Sequence, residues 1–225
     1  MILTIGNLKG GVGKTTLALN LAITLASEKR DVLLIDAEGS ALDLTALRTT
    51  TKGEPGYTAV ALRGANIRTQ VRQLAPKYSD IVIDIGGEDA TGSLRAALTV
   101  ADTILIPVKP RTLDVWRTQQ TAVLVTEARE VNDSLRAVVV LNEADPSGQD
   151  NDASLEELRA ISGLEIAPVI IGRRKAFPNA LASGLSVIEY HHDPKAVEEL
   201  RQLVNFLSAS NVNTNDIGKV AYGNR

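Results

Sequence analysis

The stretch Lys9-Gly10-Gly11-Val12-Gly13-Lys14-Thr15-Thr16 decides the fold of this 225-residue chain. It follows a short apolar run, Ile2 to Ile5, and precedes a segment of helical spacing. Glycines let the backbone curl so that successive N–H groups point at a phosphate, while a lysine neutralises phosphate charge and a hydroxyl ligates Mg²⁺. The positive end of the following helix adds to this attraction. The stretch therefore predicts a phosphate-binding loop between a strand and a helix.

Two other interpretations of these glycines fit less well. A tight turn without a ligand needs one glycine and has no use for the Gly-Lys-Thr-Thr that follows. A dinucleotide-binding loop needs the spacing G-x-G-x-x-G, whereas Gly11-Val12-Gly13 continues into Lys14 and two threonines.

Short aliphatic runs alternate with segments of helical spacing along the chain. The predicted strands are Ile2–Ile5, Val32–Ile35, Ile81–Ile85, Thr103–Val108, Ala137–Leu141 and Ala167–Ile171. The predicted helices are Thr15–Glu28, Thr91–Val100, Leu113–Val131, Ser154–Ser162 and Lys195–Leu207. This order predicts an α/β fold with a doubly wound, mainly parallel sheet flanked by helices. We expect one domain over residues 1–207, a loop at Thr49–Gly56 and a flexible tail over residues 208–225.

The composition excludes several classes of protein. The chain has no cysteine, which rules out a disulfide scaffold, a thiolate zinc site, an iron–sulfur centre with its own ligands and a cysteine nucleophile. Its 24 basic and 27 acidic residues give a net charge of −3. Such a balance argues against a constitutive nucleic-acid coat protein but leaves room for a local basic patch.

Two aspartates end predicted buried strands downstream of the loop. Asp36 follows Val32–Ile35, and Asp84 lies within Ile81–Ile85. A carboxylate at such a strand end can hold the water shell of Mg²⁺ in the crevice where ligands of these sheets bind. Aspartate also often simply ends a strand, but two of them after a phosphate-binding loop favour the metal interpretation. Gly86 and Gly87 would let the backbone approach a γ phosphate.

The string KGGVGKTT resembles the deviant Walker A loop of the ParA/MinD ATPases, in which an additional lysine precedes the glycine pair. An ordinary P-loop has glycine where this chain has Leu8. The resemblance implies a P-loop NTPase that binds ATP and Mg²⁺ and hydrolyses ATP. It assigns nucleotide binding to residues of the loop, namely Gly10, Gly11, Val12, Gly13, Lys14, Thr15 and Thr16, and metal binding to Thr15 and Asp84.

The same resemblance implies catalytic roles for Lys9, Lys14, Asp36 and Glu38. In the family the additional lysine crosses a homodimer interface to the phosphates bound by the other subunit, a role that falls to Lys9 unless it is a solvated loop lysine. Partition ATPases usually have Asp-x-Asp-Pro-Gln, and their second aspartate positions the attacking water. This chain has Glu38 followed by Gly39, so we expect a slow ATPase, with Asp43 as a possible substitute.

Two further segments carry functional expectations. Asn142 matches a position where relatives contact adenine, although it could instead cap the next turn. Arg173, Arg174 and Lys175 form the densest basic cluster and could give weak, salt-sensitive, sequence-independent affinity for DNA. The alternative is a solvated charge run or a loop next to the nucleotide. The resemblance covers roughly residues 1 to 207.

The small ParA type fits this chain better than other members of the family. Relatives that bind membranes carry a basic amphipathic C-terminal helix. The last residues of this sequence, IGKVAYGNR, have too little apolar face for such a helix, so we expect no membrane partner. The expected protein is cytoplasmic and nucleoid-associated. It forms an ATP-dependent homodimer, binds nonspecific DNA and partitions plasmid, chromosome or other cytoplasmic cargo with a ParB-like or other cargo-bound stimulating partner. The alternative is an ATP-dependent synthetase or ligase acting on a small carboxylate.

Overall fold

A seven-stranded parallel sheet organises the fold. The computed structural model describes residues 1–86, 90–110, 112–145 and 148–209. The strands are β1 Ile2–Ile5, β2 Val32–Asp36, β3 Thr58–Ala61, β4 Asp80–Asp84, β5 Thr103–Val108, β6 Arg136–Leu141 and β7 Glu165–Ile166. They lie in the order β3-β2-β4-β1-β5-β6-β7, and all six pairings are parallel. The predicted fold class is confirmed.

Helices cover both faces of the sheet. They are α1 Lys14–Ser27, α2 Ser40–Lys52, α3 Asn66–Leu74, α4 Ala90–Leu98, α5 Thr112–Arg129, α6 Gln149–Arg159, α7 Ala176–Ala182, α8 Val187–Tyr190 and α9 Pro194–Ala209. A 3₁₀ turn, Ala75–Lys77, joins α3 to β4. One apolar layer contains α1 and α7 to α9, and the other contains α3 to α6.

Alternate residues of the central strands enter opposite apolar layers. Leu34 and Val82 pack into the layer under α1, whereas Leu33 and Ile81 pack into the layer under α3 to α6. Burying one such side chain contributes about 1.5–3 kcal/mol to the free energy of unfolding. Both faces are covered, which explains why these strands are continuously apolar instead of alternating with polar residues.

The central position of β1 determines where the site lies. β1 pairs with β4 on one side and β5 on the other, so chain order reverses beside it. The register places Asp84 opposite Ile5 of β1 and opposite Asp36 of β2. The loop after β1 and both aspartates therefore meet at the carboxyl edge of the sheet, where ligands of such folds bind.

The predicted strand Ala167–Ile171 is wrong in position. The strand covers only Glu165–Ile166, and the following residues continue beside β6 through isolated bonds, Ala167 N–H to the Val139 carbonyl at 2.8 Å and Ile171 N–H to the Leu141 carbonyl at 2.9 Å. Pro168 has no N–H to donate to a ladder, which ends the regular strand.

The predicted loop Thr49–Gly56 is also partly wrong, because α2 continues to Lys52. Three threonine hydroxyls in its last turns, from Thr49, Thr50 and Thr51, donate to carbonyls four residues earlier. These bonds let β-branched residues remain helical. At the other end of the chain, Ser208 and Ala209 belong to α9, and the rest of the predicted tail lies outside the described residues.

Candidate functional site

The loop between β1 and α1 has the backbone of a phosphate cradle. Gly11 has φ +70° and Gly13 has φ +89°, a left-handed conformation that glycine adopts without steric cost. Gly13 is also the N-cap of α1, and no side chain caps the helix start. The first N–H groups of α1 thus remain available to an anion. The adjoining cavity of about 290 Å³ is lined by Asn7, Leu8, Gly10, Gly11, Gly13, Lys14, Thr15, Thr16 and Glu38.

Lys14 lies among carboxylates at this cavity. Its Nζ donates to the Lys9 carbonyl at 3.1 Å. Burial lowers the pKa of Lys14, and the charges of Asp84 and Glu38 oppose that shift. A buried lysine with acidic neighbours is a cation held ready for phosphate oxygens.

Asp84 is almost completely buried, and neither carboxyl oxygen has a hydrogen-bond partner of regular geometry. Burial raises its pKa to about 7; the Thr15 hydroxyl opposes this rise, Asp36 adds to it, Lys14 opposes it and Glu38 adds to it. A carboxylate whose charged form is destabilised by burial favours a cation beside it.

These residues fit a magnesium ion that is held mainly by the phosphates of a bound substrate. Within the described residues, no group of three or more His, Asp or Glu side chains could hold a metal on its own. Mg²⁺ usually keeps several waters and binds one or two protein oxygens together with substrate phosphates. The Thr15 hydroxyl and Asp84 are the groups that would orient such an ion.

Asp36 has the opposite environment. Its Oδ1 accepts from the N–H groups of Glu38 at 2.8 Å and Gly39 at 2.7 Å, and its Oδ2 accepts from the N–H of Leu42 at 2.8 Å. The carboxylate thus fixes the loop between β2 and α2. The resemblance implied a catalytic role for Asp36, and the structure shows both of its carboxylate oxygens accepting backbone N–H groups of this loop.

The Glu38 side chain projects into the site from that loop. It lines the cavity of the phosphate loop and influences the pKa values of Lys14 and Asp84. Its backbone carbonyl accepts from Arg63, which follows β3. Asp43, the possible substitute, is exposed in the first turn of α2 and does not line this cavity.

A second cavity of about 510 Å³ lies on the other side of the loop. It is lined by Gly13, Thr16, Asn142, Glu143, Gly172, Arg173, Arg174, Lys175, Phe177 and Pro178. Asn142 is buried, and its Nδ2 donates to the Val12 carbonyl at 2.8 Å. Asn142 therefore braces the phosphate loop itself, a contact that neither of its expected roles included.

The basic cluster borders this second cavity. Arg174 binds Glu199 through Nη2 at 2.5 Å and approaches Asp193 at 3.6 Å. The hydrogen bond to Glu199 is the main cause of its raised pKa. Arg173 and Lys175 are exposed. Arg174 is thus paired with acidic side chains of the same chain, whereas Arg173 and Lys175 are the solvent-exposed cations of the cluster.

The sequence-based prediction missed Asn7, which orders the start of the loop. Asn7 is buried; its Nδ2 donates to the Pro107 carbonyl at 2.9 Å, and its Oδ1 accepts from the Lys9 N–H at 3.0 Å. A polar residue two positions after a buried strand was the available signal.

Among the described residues, no helix is long and apolar enough to cross a membrane.

Comparisons with known proteins agree with this geometry. The profile of the CobQ/CobB/MinD/ParA nucleotide binding domain matches residues 3–187. The chain is 30% identical over 209 residues to the maintenance of carboxysome distribution protein A of Halothiobacillus neapolitanus, covering 90% of this chain and 94% of that protein. It is 26% identical to the chromosome partitioning protein ParA of Myxococcus xanthus, covering 88% of this chain and 84% of that protein.

Solved structures share the fold. The cell division ATPase MinD of Pyrococcus furiosus superposes with a TM-score of 0.73 at 16% identity, covering 93% of this chain and 98% of that one. Apo McdA from Cyanothece also gives a TM-score of 0.73, at 20% identity, covering 92% of this chain and 98% of that one.

Proposed function

Because this chain belongs to the CobQ/CobB/MinD/ParA nucleotide-binding family and is a ParA/MinD-type ATPase, we propose that it is a dimerising switch that positions a large cargo in the cytoplasm. The observation that carries the proposal is the phosphate loop, with Lys9 ahead of it, Lys14 and Glu38 lining one cavity, and Asp84 near enough to Lys14 to influence its pKa.

The loop N–H groups and Lys14 bind the phosphates of ATP, and Thr15 and Asp84 orient the hydrated Mg²⁺. The charge that develops during phosphoryl transfer is then met by groups already in place, which is the main source of catalysis in such sites. Glu38 accepts a hydrogen bond from the attacking water, and Asp36 holds the Glu38 loop in position.

Lys9 acts across a homodimer, on the phosphates bound by the partner subunit. Such a lysine makes the affinity between subunits depend on bound ATP, and it makes hydrolysis depend on the dimer, as an arginine finger supplied in trans does. Only the ATP-bound protein dimerises, so molecules that bind the dimer more tightly than the monomer distinguish the two nucleotide states. Their binding in turn shifts the equilibrium toward the dimer.

The ATP-bound dimer binds nonspecific DNA and thereby becomes nucleoid-associated. Arg173 and Lys175 are exposed at the rim of the second cavity, and a dimer presents two copies of this pair. Each cation that meets a phosphate releases about one counterion, so affinity is weak, salt-sensitive and strengthened by pairing.

The cargo brings the stimulating partner, which is ParB-like in role and accelerates hydrolysis and release. The two named relatives act on carboxysome distribution and on chromosome partitioning. The cargo of this chain is accordingly a plasmid, a chromosome or a protein compartment.

A DNA titration tests this function. Full-length protein is titrated with nonspecific duplex in ATP–Mg²⁺, in ADP–Mg²⁺ and without nucleotide, at two salt concentrations. We expect binding in ATP that weakens steeply at higher salt and is lost in the R173A/K175A variant. The R68A/R72A variant removes the same charge from the exposed face of α3 and should bind nearly normally. Equal loss in both variants, or no binding in ATP, would contradict the proposal.

A further inference from the structure

Gly86 lies directly against the carboxylate of Glu38. A Cβ built on Gly86 would stand 2.1 Å from Glu38 Oε2, 3.1 Å from its Cδ and 3.4 Å from its Cβ. The φ angle of Gly86 is not in the left-handed region, so this glycine is not required by the backbone conformation. The space that a side chain would occupy is filled by Glu38 instead.

The backbone around this contact is firmly held. The Ala37 N–H donates to the Asp84 carbonyl at 3.1 Å, which joins the Glu38 loop to the end of β4. The Ile85 N–H donates to the Ile5 carbonyl at 3.0 Å, which joins the same end to β1. Gly86 is the next residue, so neither backbone can move away easily. The flexible end of Glu38 is the part that would yield to an added methyl group.

The position of the Glu38 carboxylate matters because of its neighbours. It lines the cavity of the phosphate loop together with Lys14, and its charge acts on both Lys14 and Asp84. A glutamate is one methylene longer than aspartate, and its carboxylate needs correspondingly more room beyond the loop. That room exists because residue 86 has no side chain.

We propose that Gly86 is a positioning residue for hydrolysis: its missing side chain seats the longer Glu38 carboxylate beside Lys14 and Asp84. The inference rests on the proposed function of Glu38 as the group that orients the attacking water. It predicts that residues 38 and 86 are coupled by size, so that a side chain at 86 is compatible with aspartate at 38 but not with glutamate.

Four variants of the full-length protein test this coupling: E38A, G86A, E38D and the G86A/E38D double variant. In G86A the carboxylate must shift by more than about 1 Å, and we expect kcat to fall by about a hundredfold. The Kd of ATP, measured with a fluorescent analogue, should stay within about threefold because the phosphate loop is untouched. The double variant should recover kcat to within about threefold of E38D, since the shorter side chain no longer meets the methyl group.

The outcomes separate this inference from the function on which it rests. Normal turnover in E38A would remove Glu38 from the reaction and overturn both. Loss of turnover in E38A together with normal turnover in G86A would overturn the role of Gly86 alone. A kcat for G86A/E38D far below that of E38D would also contradict the size coupling, because a merely structural defect at residue 86 is not relieved by shortening residue 38. Thermal unfolding of all four variants shows whether each is folded.

Discussion

At the scale of single residues, two aspartates at adjacent strand ends have opposite surroundings. Asp36 accepts three backbone N–H bonds, whereas the oxygens of Asp84 are buried without a regular donor. Hydrogen bonds to a carboxylate stabilise its charged form, and burial without them destabilises it. Asp36 therefore fixes the loop that carries Glu38, whereas Asp84 has no such backbone donors, which supports its proposed role beside a cation. Both looked alike in the sequence.

Asn142 allows a prediction at the same scale. Replacing it with alanine removes the Nδ2–H bond to the Val12 carbonyl and loosens the phosphate loop. Losing such a buried bond costs about 1–3 kcal/mol, so we expect the Kd of ATP to rise by about tenfold or more. If Asn142 acts by bracing the loop, ATP and GTP lose affinity equally. Competition binding with both nucleotides checks this; a loss confined to ATP would contradict the brace and favour the adenine contact.

At the scale of elements, the strong patterns in the sequence predicted the strands that are buried on both faces. The edge strand β3 was missed because Thr58–Ala61 is partly exposed and rich in alanine, and α3 was missed because only Ile67 and Val71 anchor it. The phosphate loop could be predicted because its residues are contiguous. The contact between Glu38 and Gly86 could not, because it depends on the direction of a side chain between two loops.

One ion pair joins α2, which begins just after the Glu38 loop, to the segment around α8. Arg48 Nη1 and Nη2 donate to Glu189 Oε2 and Oε1 at 2.8 and 2.9 Å, and Arg48 also donates to the carbonyls of Pro55 and Gly184. Burial alone would raise the pKa of Glu189, but hydrogen bonds from Arg48 and Ser186 and the charges of Arg48 and Lys52 outweigh it and hold the pKa below its ordinary value.

This pair predicts a dependence of stability on pH. A carboxyl group whose pKa is lower in the folded state stabilises the fold above its unfolded pKa, close to 4.5, and loses that contribution as the pH falls through the folded value. We expect E189Q to lower the free energy of unfolding near neutral pH by at most about 1.5–3 kcal/mol, because solvent screening weakens this partly exposed pair. In acid, where Glu189 is protonated in the parent protein as well, the variant should lower it little. Urea unfolding of both proteins across this range measures it.

The matched control is E165Q, which breaks the more exposed pair between Glu165 and Arg136. An exposed pair contributes about 0–1 kcal/mol, so this variant should unfold almost as the parent does. A similar loss in both variants, or an E189Q effect that persists at low pH, would contradict the assignment of the acid dependence to Glu189.

At the scale of the whole molecule, charge opposes the proposed dimer. Each copy carries −3, and two bound nucleotides add more negative charge at the interface. A cation that reaches across is therefore needed where the phosphates meet, and Lys9 is the proposed one.

The K9A variant should bind ATP but remain monomeric. The comparison is made in the E38A background, in which slow hydrolysis preserves bound ATP. Size-exclusion chromatography with light scattering should show a dimer for E38A and a monomer for K9A/E38A. K29A/E38A, which removes an exposed lysine at the far end of α1, should still dimerise. A K9A/E38A dimer would exclude the trans role of Lys9, and DNA binding by this monomer would separate DNA affinity from pairing.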